Sequence, residues 1–137
     1  MTREARLVSG IVLILVPTIQ YGGYFLLTQL ITPASGYMDN ALREDLFRAG
    51  HAHAGVIVLL SLICQILADS ARLPSRLLWC VRVGVPLSAI LISAGFFFSM
   101  LPPTAMHPSG AVSLVYAGAI VLAASVLTLA VGLFRAA

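Results

Sequence analysis

The chain has 137 residues, of which 60% are hydrophobic and only 9% are charged, and its formal net charge at pH 7 is +3. A water-soluble domain carries roughly 25% charged residues, so this composition excludes an ordinary soluble domain and favours an integral membrane protein whose main surroundings are the lipid bilayer. All eight basic residues are arginines. Their distribution along the chain is explained by membrane topology, and no nucleic-acid partner is expected.

Four apolar segments are long enough to cross a bilayer, which takes about 20 helical residues. The sequence predicts helices over about residues 7–31, from 41 or 53 to 68, 77–101 and 111–134. The start of the second helix stays open: its apolar run begins at His53, but a helical pattern that Asp39 or Asn40 could cap extends back to about Ala41. The expected fold class is all-α, a four-transmembrane-helix bundle that forms a single membrane domain over residues 1–137.

The arginines are unevenly divided between the two sides of such a four-pass chain. Arg43 and Arg48 would lie on one side. Six would lie on the other: Arg3, Arg6, Arg72, Arg76, Arg82 and Arg135. The positive-inside rule therefore predicts cytoplasmic N and C termini, in what we expect to be a bacterial cytoplasmic membrane.

The stretch FRAGHAHAGVIVLL, residues 47–60, contains two of the three histidines, where the second apolar run begins. His107 falls in the predicted loop between the third and fourth helices, near Met100 and Met106, so these side chains are expected at one membrane face. Imidazoles and thioethers are suitable ligands for heme iron or copper(I). The sequence predicts a heme or copper site there, serving electron transfer or metal handling. Its candidate metal ligands are His51, His53, His107, Met100 and Met106.

Helical geometry limits how the two neighbouring histidines could act. Residues two apart on a helix point about 200° apart, so His51 and His53 cannot both bind one ion from a regular helix. Either the backbone is irregular there, or one ring faces the bundle and the other faces lipid or a partner. Arg48 shares a helix face with His51 and could pair with a heme propionate or anchor a lipid headgroup. Interfacial or interhelical hydrogen bonding without any cofactor is the alternative for all three histidines.

The first helix, which contains YGGYFLL, is followed by a polar loop and FRAGHAHAGVIVLL. This order resembles the first two helices of heme-copper oxidase subunit I and, more closely, short four-helix bacterial proteins described as subunit-I-like. The resemblance covers about residues 10–65. It implies that His51 or His53 is an axial ligand of heme b, opposite His107 or a histidine of a second copy. Copper is the alternative that the imidazole and thioether ligands leave open. The chain lacks the further membrane histidines of the oxidases, so oxygen reduction is not implied.

Two other classes remain open. The small size and the segments rich in small residues, YGGY and AGAIVLAAS, also suit a non-catalytic subunit of a larger respiratory or photosynthetic complex. In that case the histidines would contact a partner or its cofactor. A homo-oligomeric carrier or channel is the third reading. Gln20 and Tyr24 share a face of the first helix, where they could bond to a neighbouring helix or line a pocket for a quinone or pigment. Whether the chain is an enzyme stays undecided.

Overall fold

A computed structural model describes all residues 1–137 and contains only helices and their connections. The long helices are α1 (Arg3–Ile31), α2 (Ala41–Ala68), α3 (Ser75–Ser99) and α4 (Ser113–Phe134). Short 3₁₀ turns occupy Pro33–Ser35, Tyr37–Asp39 and Gly110–Val112, the last running into α4. Four helical segments are long and apolar enough to cross a membrane. The predicted all-α fold with four potential spans is therefore confirmed.

The second helix begins at Ala41 rather than at His53. The side-chain oxygen of Asn40 accepts a hydrogen bond from the backbone N–H of Arg43 at 3.1 Å, which satisfies one of the free donors of the first turn. The amide nitrogen of Asn40 donates to the carbonyls of Pro103 and Ala105, at 3.1 and 2.9 Å. This cap therefore also ties the start of α2 to the α3–α4 loop.

Both chain termini lie at the same end of the molecule as the turn between α2 and α3. The backbone N–H of Thr2 donates to Asp69 Oδ2 at 2.8 Å, and the N–H of Arg72 donates to the carbonyl of Gly132 at 2.8 Å. We call this the termini end. The opposite end, here called the loop end, carries residues 32–40 and the α3–α4 loop.

The four helices form an open arrangement rather than a closed ring. The α2–α3 and α3–α4 pairs pack extensively, α1 packs mainly on α2, and α1 makes no contact with α4. In its spanning segment α1 has only 11% of its residues buried, against 39% for α3. The apolar core therefore follows α2 and α3, and most of α1 faces the surroundings. The core includes Val12, Ile57, Val58, Cys64, Val81, Val85, Ala89, Ile92 and Leu129.

Glycines allow α3 and α4 to approach until their backbones touch. A Cβ placed on Gly118 would lie 2.6 Å from Ile92 Cγ1 and 3.0 Å from the Ile92 backbone nitrogen. One placed on Gly95 would lie 2.7 Å from the backbone nitrogen of Val115. Because backbone atoms cannot move aside as a flexible side chain can, these glycines set the spacing of the α3–α4 pair.

Candidate functional site

His51 lies on α2 with its imidazole against two consecutive glycines of α1. A Cβ on Gly23 would come within 3.2 Å of His51 Nε2 and 3.3 Å of Cε1, and one on Gly22 would lie 3.5 Å from Nδ1. A larger residue at position 23 would therefore occupy the space of the ring. The YGGY segment noted in the sequence provides room for His51.

The same contact borders a groove between α1 and α2 with a volume of about 500 Å³. Its lining is mostly apolar, and His51 and Gln20 supply its two polar side chains. Tyr24, which shares a helix face with Gln20, is exposed and does not line the groove. The remaining lining residues are Val16, Ile19, Gly23, Ala52, Gly55, Val56, Val58 and Leu59. An apolar groove with a few polar groups is the usual form of a site for a small apolar ligand.

His53 faces a different neighbour and carries a defined hydrogen bond. Its Nδ1 lies 2.7 Å from the carbonyl oxygen of Ala49, and its ring centre lies 5.2 Å from that of Phe96 on α3. Because a carbonyl only accepts, Nδ1 must carry a proton, which leaves Nε2 as the ring nitrogen available to a ligand. Metal-binding histidines commonly have this arrangement, with the other ring nitrogen held by a carbonyl.

The two histidines therefore lie on different sides of a regular helix. α2 is continuous through both positions, so the irregular backbone considered from the sequence does not occur. His51 packs on α1, whereas His53 packs beside α3 and is exposed. They also lie well inside α2: at 1.5 Å per residue, His51 is about 15 Å from the start of the helix at Ala41.

Arg48 is paired within its own helix. Its guanidinium lies 2.5 Å from the Glu44 carboxylate, one turn earlier, and 57% of the Arg48 side chain is exposed. The Glu44 side chain is only 12% exposed, so the pair itself is partly shielded, but the exposed guanidinium has further N–H groups that can bind a second anion. A heme propionate and a lipid headgroup both fit that description.

The remaining predicted ligands lie at the loop end, in different surroundings. Met100 is fully buried in a cluster with Leu26, Tyr37 and Phe47. Met106 is 78% exposed and His107 is exposed, both in the α3–α4 loop. No group of three or more His, Cys, Asp or Glu side chains is close enough to hold a metal ion. One chain thus does not bring the five predicted ligands together.

Arg43 is a feature that the sequence did not reveal. Expected only as an arginine at the membrane face, it is 6% exposed, with its guanidinium carbon 4.5 Å from the Phe47 ring centre and 5.8 Å from that of Tyr37. Its Nε donates to the Met100 carbonyl at 3.1 Å, while its Nη1 is buried without a partner. Tyr37 lies in the connection between α1 and α2, so the periodicity of the helices could not predict that it packs against Arg43.

Tyr37 closes this cluster through its hydroxyl, which donates to the Glu44 carbonyl at 3.1 Å. Burial, and then the nearby Glu44 carboxylate, raise the pKa of the Tyr37 phenol above its ordinary value. The hydroxyl therefore stays protonated at neutral pH and remains a donor. The cluster braces the loop end, one to three turns before the histidines on α2.

No protein family matches this chain, and neither a curated protein nor a solved structure matches it. The resemblance of its first two helices to heme-copper oxidase subunit I therefore stays a prediction from the motif. The functional argument depends on the geometry of the chain itself.

Proposed function

We propose that this chain is a small integral membrane protein that binds heme b through an imidazole of α2 and takes part in electron transfer. We place it in a bacterial cytoplasmic membrane with both termini cytoplasmic. The arginine distribution supports that orientation: the termini end carries six arginines and two carboxylates, the loop end two arginines and three carboxylates. Metal handling through bound copper is the alternative within the same proposal.

The observation that carries the proposal is the hydrogen bonding of His53 and its exposed position on α2. Its Nδ1 is held by the Ala49 carbonyl, so Nε2 is the ring nitrogen left without a partner, at an exposed position of a helix apolar enough to span a membrane. Ionisable side chains in such segments tend to be functional, because an unpaired polar group in hydrocarbon is costly. A bound iron would satisfy Nε2. Phe96 beside the ring would restrict its rotation.

Heme fits these residues better than copper does. A heme needs only one or two axial ligands from protein, so each chain would supply a single imidazole and a second copy or another subunit the opposite one. A copper ion would need several ligands gathered in one place, and no three His, Cys, Asp or Glu side chains are gathered in this way. Bound heme would supply one-electron chemistry, and His53 would hold the iron. Exposed Arg48 lies on the helix face of His51, so it would pair with a propionate if His51 were the ligand instead.

A second candidate function is supported by the open helix arrangement. α1 does not contact α4, and most of its spanning surface is exposed. A non-catalytic subunit of a larger membrane complex would cover this surface with other chains, and His53 would then contact a partner or the partner's cofactor. Gentle solubilisation of native membranes tests this, since a true subunit migrates with other chains in constant stoichiometry.

The test of the main proposal is an oxidised-minus-reduced absorption spectrum of the protein purified in mild detergent, with elemental analysis for iron and copper. We expect a Soret band that shifts on reduction and is lost in His53→Ala. Added free imidazole should restore the band in that variant, because it replaces the missing ligand without altering the fold. Ile63→Ala, at an exposed position of α2 about 15 Å further along the helix, is the control and should keep the band, whereas loss of the band in His107→Ala would make His107 the second ligand.

Three other results would redirect or reject the proposal. Loss of the band in His51→Ala but not in His53→Ala would move the ligand to the α1–α2 groove. Copper without a Soret band would support the metal-handling alternative. A colourless protein free of iron and copper, purified from cells with ample heme supply, would reject cofactor binding and leave the subunit reading.

A further inference from the structure

A second groove lies between α3 and α4 at the termini end, whereas the histidines lie towards the loop end. It has a volume of about 300 Å³ and is lined by Leu73, Leu77, Leu127, Thr128, Val131 and Arg135. The Thr128 hydroxyl donates to the Ala124 carbonyl of its own helix at 2.7 Å. Arg135 is thus the one charged residue among the residues that line this groove.

The groove is built by the turn between α2 and α3, which rests on the end of α4. The Arg72 N–H donates to the Gly132 carbonyl at 2.8 Å, and a Cβ on Gly132 would lie 2.5 Å from Leu73 Cγ. Gly132 therefore lets the turn sit directly on the helix. As a result Arg72, and Arg76 in the first turn of α3, are brought to the same end as Arg135.

These three arginines have no carboxylate partners. The side-chain ion pairs of the chain use Arg48 and Arg82, and Arg82 already occupies Asp69. The only other carboxylate side chain at the termini end is that of Glu4 on α1. The termini end, where Arg135 borders the apolar groove, therefore has an excess of positive charge.

We infer that this groove and Arg72, Arg76 and Arg135 form a binding site for an anionic phospholipid. Its phosphate would be held by guanidinium groups, which match phosphate oxygens in geometry and charge. An acyl chain would lie along Leu77, Leu127 and Val131. Residues 127 and 135 are about 12 Å apart along a helix, so the groove covers most of the depth of one leaflet. Basic pockets between membrane helices are a known form of anionic-lipid site.

The test is lipid titration of the purified full chain by native mass spectrometry, comparing dioleoyl-phosphatidylglycerol with dioleoyl-phosphatidylcholine. We expect tighter binding of phosphatidylglycerol to the unaltered chain. Arg76→Gln and Arg135→Gln should each weaken it about fivefold, as expected for one basic group near an anionic lipid, without changing phosphatidylcholine binding. Arg6→Gln, an exposed arginine of α1 at the same end, is the matched control and should have no effect.

A further variant tests the contribution of the apolar groove separately from that of the arginines. Leu127→Trp fills the groove while keeping every arginine, so it should weaken phosphatidylglycerol binding as well. Equal binding of the two lipids would overturn the inference, and so would an equal loss in Arg6→Gln and Arg135→Gln, which would indicate a diffuse basic surface. Competition by soluble glycerophosphate at the same concentration as the lipid would show a free-anion site instead. None of these outcomes depends on heme, so this inference and the proposed function can fail separately.

Discussion

Gln65 of α2 and Arg82 of α3 each donate a hydrogen bond to the other's backbone carbonyl. Gln65 Nε2 lies 3.0 Å from the Arg82 oxygen, and Arg82 Nη1 lies 3.1 Å from the Gln65 oxygen. Pro86 has no N–H, so the Arg82 carbonyl lacks its usual partner within α3. Both side chains are almost completely buried, at 0% and 4% exposure. The pair thus repairs a helix bond that proline removes.

Replacing Gln65 with Leu should lower the free energy of unfolding by about 1–3 kcal/mol, because the buried Arg82 carbonyl loses its donor. Restoring an N–H with Pro86→Ala should reduce that loss, since α3 can then satisfy the carbonyl itself. Denaturation in detergent micelles, followed by helical circular dichroism, measures both variants and the double variant. Equal losses with and without Pro86 would show that the carbonyl bond is not the cause.

Asp69 makes stability depend on pH at the acidic end. Partial burial opposes its charge, but hydrogen bonds from Arg82 and from the side chain and backbone of Thr2 outweigh it and lower the pKa to about 2. A carboxyl with a depressed pKa stabilises the folded state above its unfolded pKa, near 3.8, and that contribution is lost as the pH falls towards 2. The melting temperature should therefore drop between about pH 4 and pH 2. Asp69→Asn should start lower and show a shallower drop in this window, and an unchanged profile would argue against the role of Asp69.

Gly118→Ala should separate α3 from α4. The added methyl group would meet backbone as well as side-chain atoms of Ile92, so the helices must shift, at a cost of about 1–3 kcal/mol. Gly55→Ala is a matched control within a helix, because its Cβ would meet nothing within 4 Å. Thermal unfolding in detergent should show a clear loss for the first variant and no loss for the second. Similar behaviour of the two would contradict the close approach at Gly118.

Gly23→Ala should displace the His51 ring, because the new Cβ would lie 3.2 Å from Nε2. We expect a loss of about 1 kcal/mol, at the lower end for overpacking, since a side chain rather than backbone has to move. In a His51→Ala background the same change should cost nothing. Gly10→Ala, whose Cβ has open space, is the control on the same helix. A cost at Gly23 that persists without the histidine would locate the clash elsewhere.

The helices and the opposed histidines could be predicted because they depend on local regularities. Span length and hydropathy indicated four helices, and three of their predicted ends agree with the structure within a residue: Ile31, Ala68 and Phe134. The 200° angle between residues two apart predicted that His51 and His53 face different neighbours. In the structure α2 is a regular helix, with His51 packed against α1 and His53 beside α3.

Contacts between distant segments could not be predicted in this way. The start of α2 at Ala41 depends on Asn40, which bonds to carbonyls 63 and 65 residues later. Arg82 was counted only as one more arginine of the termini end, yet it is buried between Gln65 and Asp69. Such pairings arise from tertiary packing, and a single sequence carries no periodic signal for them.

The groove between α1 and α2 has a consequence for how a molecule would reach His51. The groove is lined by two helices that are both long and apolar enough to span a membrane, and it is open rather than enclosed. A hydrophobic compound dissolved in the bilayer could therefore diffuse sideways to the imidazole without passing through water. Such a route would select compounds by their solubility in lipid before any contact with the protein.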